Sequence, residues 1–468
     1  MEFGHEDEHY NLSLNKFESM LKTNNVLFFD SEEFENIIHH YLELGKVGLA
    51  KKALKLGLEQ HPASVNLQLF QVEMYVMTDD FDKANKLLDK LYELEPNNEE
   101  IFIQKANVLS KQDEHLKAID ALKIALQITD APEENIDLYG LIGMEYLFLD
   151  DYDNARHYFT QCIALDPEDY SALYNIIYCY DFAEKSEEAI IFLNTYLDQN
   201  PYSEVAWHQL GRQYFNKKAY VKALAAFDFA IISDDTFVGA YLEKGKVLEK
   251  QRKYLEAIEN YKFTLALDEP SSFALLRIGH CYQKMEQNDL ALHYFYKTVH
   301  EDPLLDKGWI AITKYYIKLK NYQKALYYIN KAVNIDSENV FYWKVYAQIN
   351  HRLKFYEEAE RGYKRTLELG NYEIETWIAR ADILIQLGEY EASVYNLEQA
   401  AEFYPENAEI NFRMAGLFFT LSDFYKGEYH FNNAIKENAD YQFILDELFP
   451  NLSNNPLIRD IISKTKKA

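Results

Sequence analysis

Apolar side chains recur along this chain at helical spacing, and the pattern itself repeats. Trp207, Leu210, Gly211 and Tyr214 stand at i, i+3, i+4 and i+7, on one stripe of a helix. Ala223, Phe227 and Ala230 form a second stripe after a short polar turn, so the segment reads as a helix hairpin. The arrangement returns every 34 residues, with starts at 31, 65, 99, 136, 170, 204, 238, 272, 306, 340, 374 and 408, and one step of 37 around Pro132. These starts predict twelve units over residues 31–441. Residues 1–30 are left for an acidic tip and a leading helix, and residues 442–468 for a capping helix and short tail.

Counting places from each start, place 20 holds only small residues: alanine from Ala50 to Ala359, then Ser393 and Gly427. These are small enough to let two helices approach closely, and place 8 is small in most units too, as in Gly143, Gly211, Gly245, Gly279, Ala347, Ala381 and Ala415. The four tryptophans, Trp207, Trp309, Trp343 and Trp377, all fall on place 4, and six prolines, including Pro62, Pro201 and Pro303, fall on place 32. Neither helix of a hairpin buries its stripe alone. Stacked hairpins bury it against their neighbours, and the two ends of the stack need caps.

The spacing W-x2-L-G-x2-Y, followed by A, F, A and P, resembles that of tetratricopeptide repeats, in a long multi-repeat array of the bacterial type. Units two, five and twelve depart from it, with Gln68, Leu173 and Asn411 in place of the aromatic. The resemblance implies an all-α, right-handed superhelical solenoid whose first helices line a concave groove. It also implies a non-catalytic scaffold or adaptor that binds another protein or a peptide.

At the ends, Phe17, Met20, Leu21 and Leu27 suit a leading helix, and Asp30 with Glu33 forms the pattern of a capping box. Phe443, Ile444, Leu445, Leu448 and Phe449 are placed to cover the last hairpin, and Asn455-Pro456 sets off a final short helix. Neither end has room for a catalytic domain.

Composition narrows the function. The chain has 468 residues and a formal charge of -28, which disfavours general nucleic-acid or anionic-membrane binding. Cys162, Cys179 and Cys281 lie far apart, which predicts neither disulfides nor a zinc site and suits a reducing, cytoplasmic setting. The acidic N-terminus does not read as a signal peptide, and no long apolar run predicts membrane insertion. His5-Glu6-Asp7-Glu8-His9 matches the zinc-protease pattern, but without an apolar helix around it or a third ligand, so neither metal nor cofactor is expected.

The informative side chains are those of each first helix that turn away from its buried stripe, at places 2, 5, 9, 12 and 13. In units four and five they include Met144, Phe148, Tyr174, Tyr178 and Phe182, an apolar anchor for a ligand unless neighbouring first helices cover it. In units six to ten, places 9 and 13 hold Arg212, Lys246, Lys250, His280, Lys284, Lys314, Lys318 and Arg352, with no acidic residue among them. Residues 204–373 carry a net +3 and the rest of the chain -31, so two basic rows are expected, partly neutralised by Glu243 and Glu249. A lysine at place 13 also serves the helix dipole, which accounts for one row but not for Arg212, Lys246 and Lys314. The ligand expected is an acidic or phosphorylated protein segment; single-stranded nucleic acid on the basic rows is the alternative. Of the family's carboxylate clamp, Lys344 is present but Gln348 and Ala379 stand where asparagines belong, so that clamp is not expected.

Overall fold

The computed structural model describes residues 13–22, 27–129, 135–267 and 271–465. All regular structure among them is helical. The chain forms two compact units, one ending at Asp235 and the other beginning at Thr236.

In the first unit, after a helix over residues 13–22, the leading helices of successive pairs are Ser31–Glu43, Val65–Val76, Glu99–Lys111, Asn135–Phe148, Tyr170–Phe182 and Glu204–Asn216. In the second they are Val238–Lys250, Ser272–Lys284, Asp306–Lys318, Val340–Arg352, Ile374–Leu387 and Ala408–Thr420. The helix at Asn135 starts one residue earlier than the sequence pattern puts it, and the longer step around Pro132 lies outside the described residues, as does the His5 to His9 motif.

Short polar side chains set where these helices begin. Ser64, Asp169, Ser203, Ser271, Asn339 and Asn407 each accept a bond from the backbone N–H three residues on, satisfying a donor that the first turn leaves open. Asp30 and Glu33 make the reciprocal bonds of a capping box. One to three residues beyond each first helix, at place 15, φ is positive all along the array, from 55° at Asp79 to 79° at Gly388. The chain then reverses into the second helix.

Packing between the paired helices follows the small places. A Cβ on Gly211 would lie 2.5 Å from a ring carbon of Phe227, and one on Gly245 would lie 2.5 Å from Tyr261. Gly143 and Gly279 meet Phe159 and Phe295 in the same way. The aromatic at place 24 thus fills the space that the missing side chain at place 8 leaves, and the alanines at place 20, such as Ala223 and Ala257, are wholly buried. Buried apolar residues gather in successive clusters, each drawn from neighbouring hairpins. That is how a stacked array builds its core.

The ends are closed by apolar side chains. Phe17 and Met20 are buried beside Phe34 and Tyr41 of the first hairpin. At the other end Ile444, Leu445 and Phe449 are buried, and Phe449 lies against Gly416, leaving no room there for a Cβ. Phe443 differs from expectation and is half exposed, because it opens its short helix on the side facing away from the hairpin.

Candidate functional site

The anchor residues stand open. Met144 is 37% exposed, Phe148 59%, Tyr174 41%, Tyr178 45% and Phe182 58%, so the neighbouring first helices do not cover them. Tyr178 and Phe182 share one face of the helix Tyr170–Phe182, their rings 4.3 Å apart. Phe148 lies over the His115 ring at 5.1 Å. Asp181, beside them, is taken up by the Gln213 side chain, whose Nε2 donates to it at 2.7 Å.

Arg212, also in the first unit, is exposed, and one guanidinium nitrogen donates to Gln209 at 3.3 Å. In the second unit Lys250, Lys284, Lys314, Lys318 and Arg352 are all exposed on successive first helices. Two members at place 9 sit over aromatic rings of the next first helix: Lys246 Nζ is 5.3 Å from the centre of Phe273, and Lys314 Nζ 4.9 Å from that of Phe341. Both phenylalanines keep more than a third of their surface exposed. Such contacts hold an ammonium group in place while leaving it reachable.

His280 is corrected. Burial holds its pKa below the usual histidine value, with Arg277 and Lys314 adding to the effect against a bond to Gln283. Its ring packs edge-on against Phe295 at 5.2 Å, so at neutral pH it interrupts the row as a neutral side chain. The two acids expected to offset the rows also separate. Glu243 does pair with Lys246, at 2.6 Å. Glu249 is committed elsewhere: it takes two bonds from Arg277, at 2.9 and 2.6 Å, and one from the Tyr261 hydroxyl at 2.6 Å. Lys344 is engaged by Glu373.

The first helices of the first three hairpins form a feature that the sequence reading passed over. Glu35, His39, Leu42 and Glu43, then Asn66, Leu69, Phe70 and Glu73, then Glu100 and Gln104, line a cavity of about 550 Å³. Burial pushes the carboxyl groups of Glu35, Glu73 and Glu100 up from the ordinary range. Asn66 offers Glu35 a bond at 3.1 Å, and Gln104 offers Glu100 one at 2.9 Å, each opposing the shift. Glu73 has no hydrogen-bond or ion-pair partner among the described residues, and the charge of Glu100 adds to its shift while His39 opposes it. The three acids stand at places 5, 9 and 2 of their helices, but their places alone do not show that they meet around one cavity.

The three cysteines are buried thiols. Burial pushes Cys162 and Cys281 up to about 12 and Cys179 to about 11, which leaves them protonated and unreactive at neutral pH. Among the described residues no group of three or more histidine, cysteine or acidic side chains is placed to hold a metal, and no helix is long and apolar enough to cross a membrane.

Tetratricopeptide-repeat family models match residues 149–214, 307–339 and 374–407. These stretches of the chain are tetratricopeptide repeats. Over 162 residues, 35% of this chain and 24% of the relative, it is 27% identical to anaphase-promoting complex subunit 3 of Schizosaccharomyces pombe. Over 94 residues, 20% of this chain and 32% of the relative, it is 29% identical to ER membrane protein complex subunit 2-A of Xenopus laevis. The chain thus spans a third or less of the length of these curated relatives. A solved tetratricopeptide repeat protein from Parabacteroides merdae aligns with 53% of this chain and 98% of its own, at 15% identity and a TM-score of 0.39.

Proposed function

We propose that this protein is a non-catalytic, cytoplasmic scaffold that holds a segment of another protein on its first-helix face, and that the second unit prefers an acidic or phosphorylated segment. The observation that carries the preference is the run of exposed cations Lys250, Lys284, Lys314, Lys318 and Arg352 on successive first helices. An acidic segment gains from each of them, and the negative charge of the rest of the chain repels it elsewhere. Single exposed contacts contribute only about 0.2–1 kcal/mol, so the affinity is a sum over several and falls as salt rises.

Pull-down with a tagged chain identifies the partner. Its binding is then measured to Lys284→Glu/Lys314→Glu, and the expected result is a loss of affinity with a shallower salt dependence. Unchanged affinity and salt dependence sink the acidic-segment reading. Phe273 and Phe341 beside Lys246 and Lys314 are the one feature that favours single-stranded nucleic acid, by pairing stacking surfaces with cations. Single-stranded RNA that displaces the partner at equal strength replaces the protein segment as the ligand.

A further inference from the structure

The first unit carries a different chemistry on its first helices. Glu35, Glu73 and Glu100 are partly buried around one cavity, and no cation pairs with any of them among the described residues. Withdrawing carboxylates from water without a counter-charge costs folding free energy, and natural chains keep such costs mainly where a ligand offsets them. The cavity wall is two-sided: Leu42, Leu69 and Phe70 supply apolar surface, and Glu35, Glu73 and Glu100 supply charge beside Glu43, whose carboxylate lies 3.3 Å from His39. That suits a side chain with an apolar stem and a cationic head. Farther along the same series of first helices stands the open apolar patch of Met144, Phe148, Tyr174, Tyr178 and Phe182. A lone amine or metal ion would leave that patch uncovered; a protein segment with both features covers it.

We propose that the first unit docks a partner segment whose arginine or lysine side chain enters the Glu35, Glu73 and Glu100 cavity while its apolar side chains cover the Tyr178 and Phe182 patch. This rests on the scaffold reading and deepens it. The ligand is basic and apolar over residues 31–182, whatever it presents to the second unit. Charge complementarity selects the occupant, because an acidic segment would set a further negative charge beside carboxylates that already lack partners.

The probe is a short fluorescein-labelled peptide with two arginines at one end and Leu-Phe-Phe at the other, made in both chain directions. Each has a counterpart in which citrulline, neutral and nearly isosteric, replaces arginine. Anisotropy on the intact chain at physiological salt should show one direction of the arginine peptide binding about tenfold tighter than its citrulline counterpart. Glu73→Gln/Glu100→Gln should abolish that ratio. Tyr178→Ala/Phe182→Ala should weaken both peptides alike and keep the ratio. Asp89→Asn/Glu93→Gln, exposed on a second helix and equal in charge change, should leave everything as it was. Equal affinity for arginine and citrulline peptides overturns the proposal. So does no binding in either direction, or an equal loss in the Asp89→Asn/Glu93→Gln control, which would mean general attraction to an acidic protein. Loss of the arginine preference with partner pull-down intact sinks this inference alone and leaves the scaffold reading standing.

Discussion

At place 15 the backbone enters the left-handed region in every hairpin, yet only Gly45 and Gly388 are glycine there. Lys218, Arg252, Lys320 and Lys354 hold φ between 56° and 63°, a conformation in which an L side chain crowds its own carbonyl. Lys320→Gly should therefore stabilise the second unit by about 0.5–1 kcal/mol, net of the entropy that glycine adds to the unfolded chain. Asp79→Gly should gain less, since aspartate tolerates this region. Denaturant midpoints check both. Place 8 predicts the opposite sign: Gly211→Ala forces a methyl against the Phe227 ring and should cost about 1–3 kcal/mol, with Phe227→Leu in the same chain restoring part of it. At place 4, Trp207, Trp309 and Trp343 each donate to the carbonyl six residues earlier, at 2.8 to 2.9 Å. Gln68, which looks like a departure from the pattern, makes the same bond to Pro62 at 2.8 Å. In these four units a side-chain donor at place 4 ties the helix entry to the preceding loop, and Gln68 supplies it without an aromatic ring. Such equivalence is invisible in a scan for residue type.

Each hairpin leans on its neighbours, so the end elements matter more than their length suggests. Phe449 fills the space over Gly416 beyond the last pair. Phe449→Ala should cost about 3–5 kcal/mol if unfolding is cooperative across the second unit. If the array frays from its end, hydrogen exchange should show protection lost in Ala408–Thr420 and Phe424–Asn438 while Val238–Lys250 stays protected. The first three leading helices make a pH prediction. A carboxylate whose pKa is raised by folding binds its proton more tightly in the folded state. Glu35, Glu73 and Glu100 therefore weaken the first unit above their folded pKa values, and this effect fades as pH falls from 7 towards the ordinary carboxylate value of about 4.3. Glu73→Gln should raise the denaturant midpoint at pH 7, and the difference from the parent chain should shrink on acidification. A constant difference across that window would place the effect in packing rather than charge.

Over the whole molecule, the division of the chain into two compact units between Asp235 and Thr236 predicts that unfolding is not a single event. Gly211→Ala in the first and Lys320→Gly in the second should move different parts of the transition, resolved by hydrogen exchange with mass spectrometry. Shifts that always spread over both units would mean stronger coupling than a stacked array allows. The helix class, the hairpin pairing and the recurring small places were legible in the amino-acid sequence, because each recurs often enough for the register to be read; that place 8 meets the aromatic at place 24 came only from the packed hairpin. The register put Tyr178 and Phe182 off the buried stripe but left open whether neighbouring first helices cover them, and the packed structure decided that they stay open. Charge was legible only as a tally. Glu243 and Glu249 stand on one helix, yet the first pairs with Lys246 and the second with Arg277 of the next hairpin. His280 reads as a member of a basic row and is neutral because Phe295 and its surroundings keep water from it. Glu35, Glu73 and Glu100 read as ordinary surface acids until three helices bring them around one cavity. The state of an ionisable side chain depends on solvent exclusion and on partners some thirty residues away. Periodicity determines which face a residue occupies, and only the packed neighbours decide whether its charge is paired, suppressed or left to seek a ligand.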